Sequence, residues 1–178
     1  QGVQSVVVHD VPLARHHLDL MESTARQNLA EARALVAGGA PADLDGGSLP
    51  DAVRRLADRH EAPAALEVTG AVRELPAGLE VVALRSCQEA LSNARKHAGP
   101  GAPVRLTLAY GEASLTVSVR DGGDGFDLSA PRTGYGLAGL RARAAEVGGT
   151  AEIRSTPGAG TSVTVQLPVP TAHLRSSP

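Results

Sequence analysis

Gly134-Tyr135-Gly136-Leu137-Ala138-Gly139 spells G-x-G-x-x-G, and what flanks it decides the fold. A dinucleotide-binding turn needs its first glycine directly after a strand, and an acidic residue about 20 positions later at the end of the next strand. Here Asp127-Leu128-Ser129-Ala130-Pro131-Arg132-Thr133, a loop, comes first. No acidic residue closes the strand expected over 151–155. A Gly-Lys pair is also missing, so there is no P-loop. The glycines therefore do not open a doubly wound parallel sheet.

Outward from that point, local signals place the elements. Ser48 caps a helix reaching about residue 60, with Asp51 as its capping partner and Pro50 in the first turn. A short strand fits 66–69. A long helix fits 78–97 and stops at Gly99-Pro100. Alternating strands follow over 104–109 and 114–120, then a glycine-rich stretch over 121–139. A helix over 140–147 ends at Gly148-Gly149, and strands over 151–155 and 162–167 flank Pro157-Gly158-Ala159-Gly160. Hairpin-linked strands with helices between the pairs predict an α+β fold: a two-layer sandwich with a mixed, mostly antiparallel sheet.

Upstream, the spacing predicts a helix over 12–38, with a seam at Leu18, Met21, Ala25, Ala32 and Leu35 suited to helix packing. The expected organisation is a partial helical region over 1–38, a Gly/Ala/Asp/Pro linker over 39–47, the sandwich domain over 48–168 and a disordered tail over 169–178. Pro168 and Pro170 end the fold.

Composition narrows the function. The 178 residues carry a net charge of −2, so nothing equips the chain to grip a phosphate polymer. Its aromatic residues are Tyr110, Phe126 and Tyr135, too few for a base-stacking platform. Nucleic acid is therefore not an expected partner. Cys87 stands alone and excludes an internal disulfide or a cysteine-based zinc site. No apolar run approaches the roughly 20 residues that span a bilayer, so any membrane attachment is expected outside this chain. The lone lysine, Lys96, stands out against a background of arginine.

Two further signals concern chemistry. Asp121-Gly122-Gly123-Asp124-Gly125-Phe126 follows a strand. An aspartate at a strand end can accept a hydrogen bond from an exocyclic amine, while glycines let backbone approach closely. On the helix over 78–97, Leu84, Cys87, Leu91 and Ala94 form an apolar stripe, whereas Glu89, Asn93 and Lys96 form a polar one. A carboxylate, an amide oxygen and an ammonium on one face suit a Mg²⁺–triphosphate.

Taken together, the chain resembles the ATP-binding catalytic domain of bacterial sensor histidine kinases, whose fold is shared with gyrase, Hsp90 and MutL. Cys87-Gln88-Glu89-Ala90-Leu91-Ser92-Asn93-Ala94-Arg95-Lys96-His97-Ala98 resembles the N box. Its wording is close to that of the subfamily partnering NarL/LuxR-type response regulators. Asp121 to Phe126 resembles the G1 box and Gly134 to Leu140 the G2 box. Gly160-Thr161 and Leu167-Pro168 also match.

The resemblance implies roles. Glu89 polarises the attacking histidine, Asn93 coordinates Mg²⁺, and Lys96 and His97 face the phosphates. Asp121 meets the adenine amine, and Gly123 and Gly125 give clearance beside Phe126. Gly134, Tyr135, Gly136, Leu137, Gly139 and Leu140 flank the ATP lid, placed at about 127–133, and Thr161 supports the adenine side. ATP and Mg²⁺ are the implied cofactors, a homodimer through a helical hairpin and a response regulator the implied partners, and the cytoplasm the implied location. The implied function is transfer of the γ-phosphoryl group of ATP to a histidine.

The helix over 12–38 resembles the second helix of the phosphoacceptor hairpin. Gln1 fits the phosphatase-motif glutamine, with the acceptor histidine expected upstream. His9-Asp10 is not that acceptor, since Ala14 replaces the required glutamine and Pro12 breaks the helix. Two alternatives stay open: a serine kinase of the anti-sigma-factor type, which lacks the hairpin, and a non-catalytic ATP-binding interaction module.

Overall fold

A computed structural model describes residues 47–128 and 136–170. These residues fall within Gly46–Pro178, the second of the two units into which the chain divides. The expected helix over 12–38, His9-Asp10, Gln1, most of the expected lid and residues 171–178 lie outside the described residues.

The elements run α1 (Leu49–Asp58), β1 (Ala64–Gly70), α2 (Ala77–His97), β2 (Val104–Tyr110), β3 (Ser114–Asp121), α3 (Gly136–Glu146), β4 (Thr150–Ser155) and β5 (Thr161–Pro168). The strands form one sheet in the order β1-β2-β3-β5-β4. β1 and β2 are parallel, with α2 as their crossover; every other pair is antiparallel. This is the mixed, mostly antiparallel sheet that the residue pattern predicts.

Each strand alternates. Val104, Leu106 and Leu108 of β2, Leu115, Val117 and Val119 of β3, and Val163, Val165 and Leu167 of β5 are buried on one face. The other face carries Arg105, Thr107, Thr116, Ser118, Arg120, Ser162 and Thr164, none of them buried. The described helices pack on the apolar face, α1 beside β1, α2 across β2, β3 and β5, and α3 beside β4. α2 contributes Leu84, Cys87, Leu91 and Ala94 to this core, so the apolar stripe lies where its spacing put it. Removing a leucine side chain from water contributes about 1.5–3 kcal/mol. The largest fully buried side chains are leucines, valines and Cys87, with no aromatic ring among them.

The helix start at Ser48 is the expected capping box. Asp51 N–H donates to Ser48 Oγ at 3.3 Å, and Ser48 N–H donates to Asp51 Oδ2 at 3.3 Å. The Ser48 hydroxyl and backbone bonds hold the Asp51 carboxyl below its usual range.

Several element ends differ from the sequence expectation, three of them for a clear physical reason. β1 begins at Ala64, because parallel pairing with Val104 extends it. α3 begins at Gly136 rather than Leu140, so Gly136 and Gly139 are helical and not loop. Glycine's low helix propensity hid this turn, and packing against α2 outweighs it. The packed fold also runs past Pro168: Val169 is buried, and its N–H donates to Ala113 O at 2.9 Å. Among the described residues, no helix is long and apolar enough to cross a membrane.

Candidate functional site

Between α2 and the ends of β3 and β5 opens a pocket. α2 supplies Ala90, Asn93, His97 and Ala98 to its wall, β3 supplies Val119 and Asp121, β5 supplies Thr161 and Val163, and Phe126, Gly136 and Leu137 complete it. The mix of apolar wall with few polar groups is that of a small-ligand site.

Asp121 closes β3 and is only 8% exposed. Burying a carboxylate is costly unless it is hydrogen-bonded. Its Oδ1 accepts from Gly123 N–H at 3.1 Å and from Thr161 N–H at 3.1 Å. Among the described residues nothing bonds Oδ2. Two backbone donors thus fix the carboxylate and leave it one free acceptor.

The loop after Asp121 is stitched to the end of α2. Asp124 N–H donates to Ala98 O at 3.3 Å. A Cβ at Gly123 would collide with the Ala98 carbonyl, Cα and Cβ. Gly125 has φ +58°, and a Cβ there would strike the Thr156 carbonyl. The expected clearance is therefore required first by the protein's own backbone.

The polar stripe of α2 is assembled in part. Asn93 Nδ2 donates to Glu89 Oε1 at 3.2 Å. Donation through Nδ2 leaves the amide oxygen as an acceptor on a residue that lines the pocket. Glu89 sits behind Asn93, and a Cβ on Gly136 would run into its Oε1. The bare backbone at the start of α3 is what lets that helix approach the carboxylate.

Of the sequence-predicted residues, Asn93, His97, Asp121, Phe126, Gly136, Leu137 and Thr161 meet at the pocket. Glu89, Lys96, Gly123, Gly125, Gly139 and Leu140 are not in its wall. Lys96 is exposed near the C-terminus of α2, and Leu140 is core, 1% exposed. Gly134 and Tyr135 lie outside the described residues. Reading missed Ala90, Ala98, Val119 and Val163. Periodicity could have found three of these, since Val119 and Val163 are two strand positions from Asp121 and Thr161, and Ala90 is one helical turn before Asn93.

Ser155 was also missed. Its hydroxyl accepts from Phe126 N–H at 2.9 Å, donates to Gly160 O at 3.0 Å and lies 3.1 Å from Thr161 Oγ1. Cys87 is a bystander: burial pushes its thiol up to about 12, leaving no thiolate for chemistry at neutral pH.

Residues 79–171 match the family model described as histidine kinase-, DNA gyrase B- and HSP90-like ATPase. The sensor histidine kinase LiaS of Bacillus subtilis is 30% identical over 153 residues, covering 84% of this chain and 42% of LiaS. The sensor protein VraS of Staphylococcus epidermidis is 30% identical over 161 residues, covering 89% of this chain and 46% of VraS. The chain thus spans less than half the length of either relative. Among solved structures, the ATP-binding domain of PrrB from Mycobacterium tuberculosis is 27% identical with a TM-score of 0.53, covering 68% of this chain and 92% of that one. The histidine kinase domain of the Erythrobacter litoralis EL346 blue-light activated kinase shares the fold, with 20% identity and a TM-score of 0.58 over 68% of this chain and 65% of that one.

Proposed function

The chain belongs to the family of histidine kinase-, DNA gyrase B- and HSP90-like ATPases, and from that premise we propose that it is the ATP-binding catalytic part of a two-component sensor histidine kinase. The observation that carries this reading is the paired geometry of the pocket. Asp121 offers one free carboxylate oxygen on one side, and Asn93 offers an amide oxygen with its orientation fixed by Glu89 on the other.

The residues fit a magnesium nucleotide. Asp121 Oδ2 accepts from the adenine amine, and the apolar wall of Val119, Val163 and Leu137 covers the base. Asn93 Oδ1 is the protein's hard ligand for Mg²⁺. Among the described residues no group of His, Cys, Asp and Glu is placed to hold a metal by itself. A lone amide oxygen suits an ion that retains waters and phosphate oxygens as its other ligands. Bound Mg²⁺ supplies charge neutralisation on the phosphates. Glu89 stands beside Asn93 to polarise the incoming histidine, and His97 and Lys96 bring positive charge or donors to the phosphate end. Gly134, Tyr135, Gly136, Gly139 and Leu140 belong to the lid flank, and Gly123 and Gly125 hold the base-side loop.

On the same proposal, the domain that begins at Ser48 is the catalytic one, working in the cytoplasm, with 1–38 assigned to the dimerising hairpin and 39–47 to a linker. The wording of Gln88 to Ala98 supports a NarL/LuxR-type response regulator as partner. The test is transfer. The chain is incubated with Mg²⁺ and γ-labelled ATP, alone and with the phosphoacceptor hairpin of a related sensor kinase. Acid-labile, base-stable phosphate on the added hairpin, lost with Asn93→Ala, is expected. No transfer despite ATP binding would leave only an ATP-binding module.

A further inference from the structure

The polar face of the sheet carries a row of arginines. Register places Arg105 of β2 opposite Arg120 of β3, Arg120 opposite Ser162 of β5, and Ser162 opposite Arg154 of β4. The outer two are matched by acids: Arg105 stands 3.8 Å from Glu67, and Arg154 Nε donates to Glu152 at 2.8 Å. Arg120, between them, forms no ion pair or hydrogen bond with any described residue. Residues directly opposite in an antiparallel pair have Cβ atoms about 4.5–5.5 Å apart, and like charges there repel.

Arg105 and Arg120 line a second cavity, where β1 and β2 start and β3 ends, which shares only Asp121 with the nucleotide pocket. Pro63, Ala65 and Pro103 give it apolar wall. The backbone there is already spent. Val104 N–H donates to Pro63 O at 2.8 Å, Gly122 N–H donates to Pro103 O at 3.0 Å, and the two prolines have no N–H. Asp121, the one acid in this wall, has its carboxylate held by the N–H groups of Gly123 and Thr161. What the cavity offers a ligand is a pair of guanidinium forks beside an apolar wall.

We propose that this cavity is a second ligand site, which takes a phosphate-type dianion between Arg105 and Arg120. A doubly charged oxyanion neutralises both cations at once, whereas a single carboxylate leaves one of them unmatched. The guanidinium fork fits two phosphate oxygens side by side. The apolar wall accommodates the carbon body of a phosphate monoester. Neither arginine belongs to the nucleotide site, so the two sites are separable by experiment.

The experiment is a ¹H–¹⁵N NMR titration of the full chain with inorganic phosphate, phenyl phosphate and acetate, at constant ionic strength set with NaCl. Saturable shifts are expected at the amides of Arg105, Arg120 and Gly122. Arg120→Gln and Arg105→Gln should each weaken phosphate binding about fivefold to tenfold. Arg120→Lys keeps the charge without the fork and should weaken it about twofold to threefold. Arg154→Gln removes the same charge from the same row and should leave the affinity unchanged. All three arginines are exposed, so the substitutions leave the fold intact. Acetate should bind at least about fivefold more weakly than phosphate. Tighter binding of phenyl phosphate than of phosphate identifies the ligand as a monoester, and equal binding as the free ion; either result supports the site. Absence of saturable shifts at Arg105 and Arg120 overturns the proposal. Equal weakening by Arg154→Gln and Arg120→Gln overturns it too, since that marks diffuse charge attraction, and so does acetate binding as tightly as phosphate.

Discussion

Gly136→Ala separates stability from chemistry. The new Cβ would meet Glu89 Oε1, the far end of a flexible side chain, so Glu89 moves rather than the helices. Two small terms then oppose each other. Alanine in place of glycine in a helix contributes up to about 0.5–1 kcal/mol. Losing the 3.2 Å bond between Asn93 and Glu89 costs about 0.5–1.5 kcal/mol. The net change is within about 1 kcal/mol, so the melting temperature moves by only a few degrees. The chemistry does not balance in this way. Glu89 is displaced from its place beside Asn93, and the Asn93 amide loses the partner that aims its oxygen. General acid–base groups contribute about 10²–10⁴-fold, and a displaced group keeps part of that. The expected result is a roughly tenfold to hundredfold fall in the rate of phosphoryl transfer to an added hairpin, with thermal unfolding close to wild type. Wild-type transfer by a folded Gly136→Ala would refute the coupling between the start of α3 and Glu89.

Gly123→Ala behaves in the opposite way, because its Cβ meets backbone as well as the side chain of Ala98. It is expected to destabilise the domain by about 1–3 kcal/mol in chemical denaturation. The Tyr110 hydroxyl is buried with no hydrogen-bond partner among the described residues, so Tyr110→Phe stabilises by about 1 kcal/mol in the same assay. Burial raises Tyr110 to about 12, with Glu80 adding to the rise, and burial raises Cys87 to about 12. Both groups are neutral in the fold and ionise more easily when it opens, so their contribution is complete below their ordinary ranges and is lost as pH climbs to about 12. Thermal melts should fall across that alkaline window, and less steeply in Tyr110→Phe. Cys87 should react with a thiol reagent at pH 8 only after unfolding.

The layer architecture was legible because β2, β3 and β5 alternate cleanly and α2 keeps an unbroken apolar stripe, signals that depend only on local period. Asp121 and Asn93 were legible because a strand end and a helical repeat of four set their placement. Lys96 was expected at the pocket because it shares the stripe with Asn93, yet it lies outside the wall on an exposed position near the helix end. Ser155 was invisible because its partners Phe126, Gly160 and Thr161 meet it only when the turn over 156–160 folds against the loop after Asp121. The start of α3 was misplaced because Gly136 and Gly139 read as loop, and only the tertiary approach to Glu89 explains why a glycine belongs there.

The most direct test of the nucleotide site is calorimetry of Mg²⁺–ATP binding to wild type and Asp121→Asn. In the variant, the amide oxygen keeps the bonds from Gly123 and Thr161, which turns an NH₂ donor toward the place where the free carboxylate oxygen stood. A donor facing the adenine amine should weaken ATP binding by about tenfold to a hundredfold while leaving the fold intact. Equal affinity in the two proteins would contradict the account.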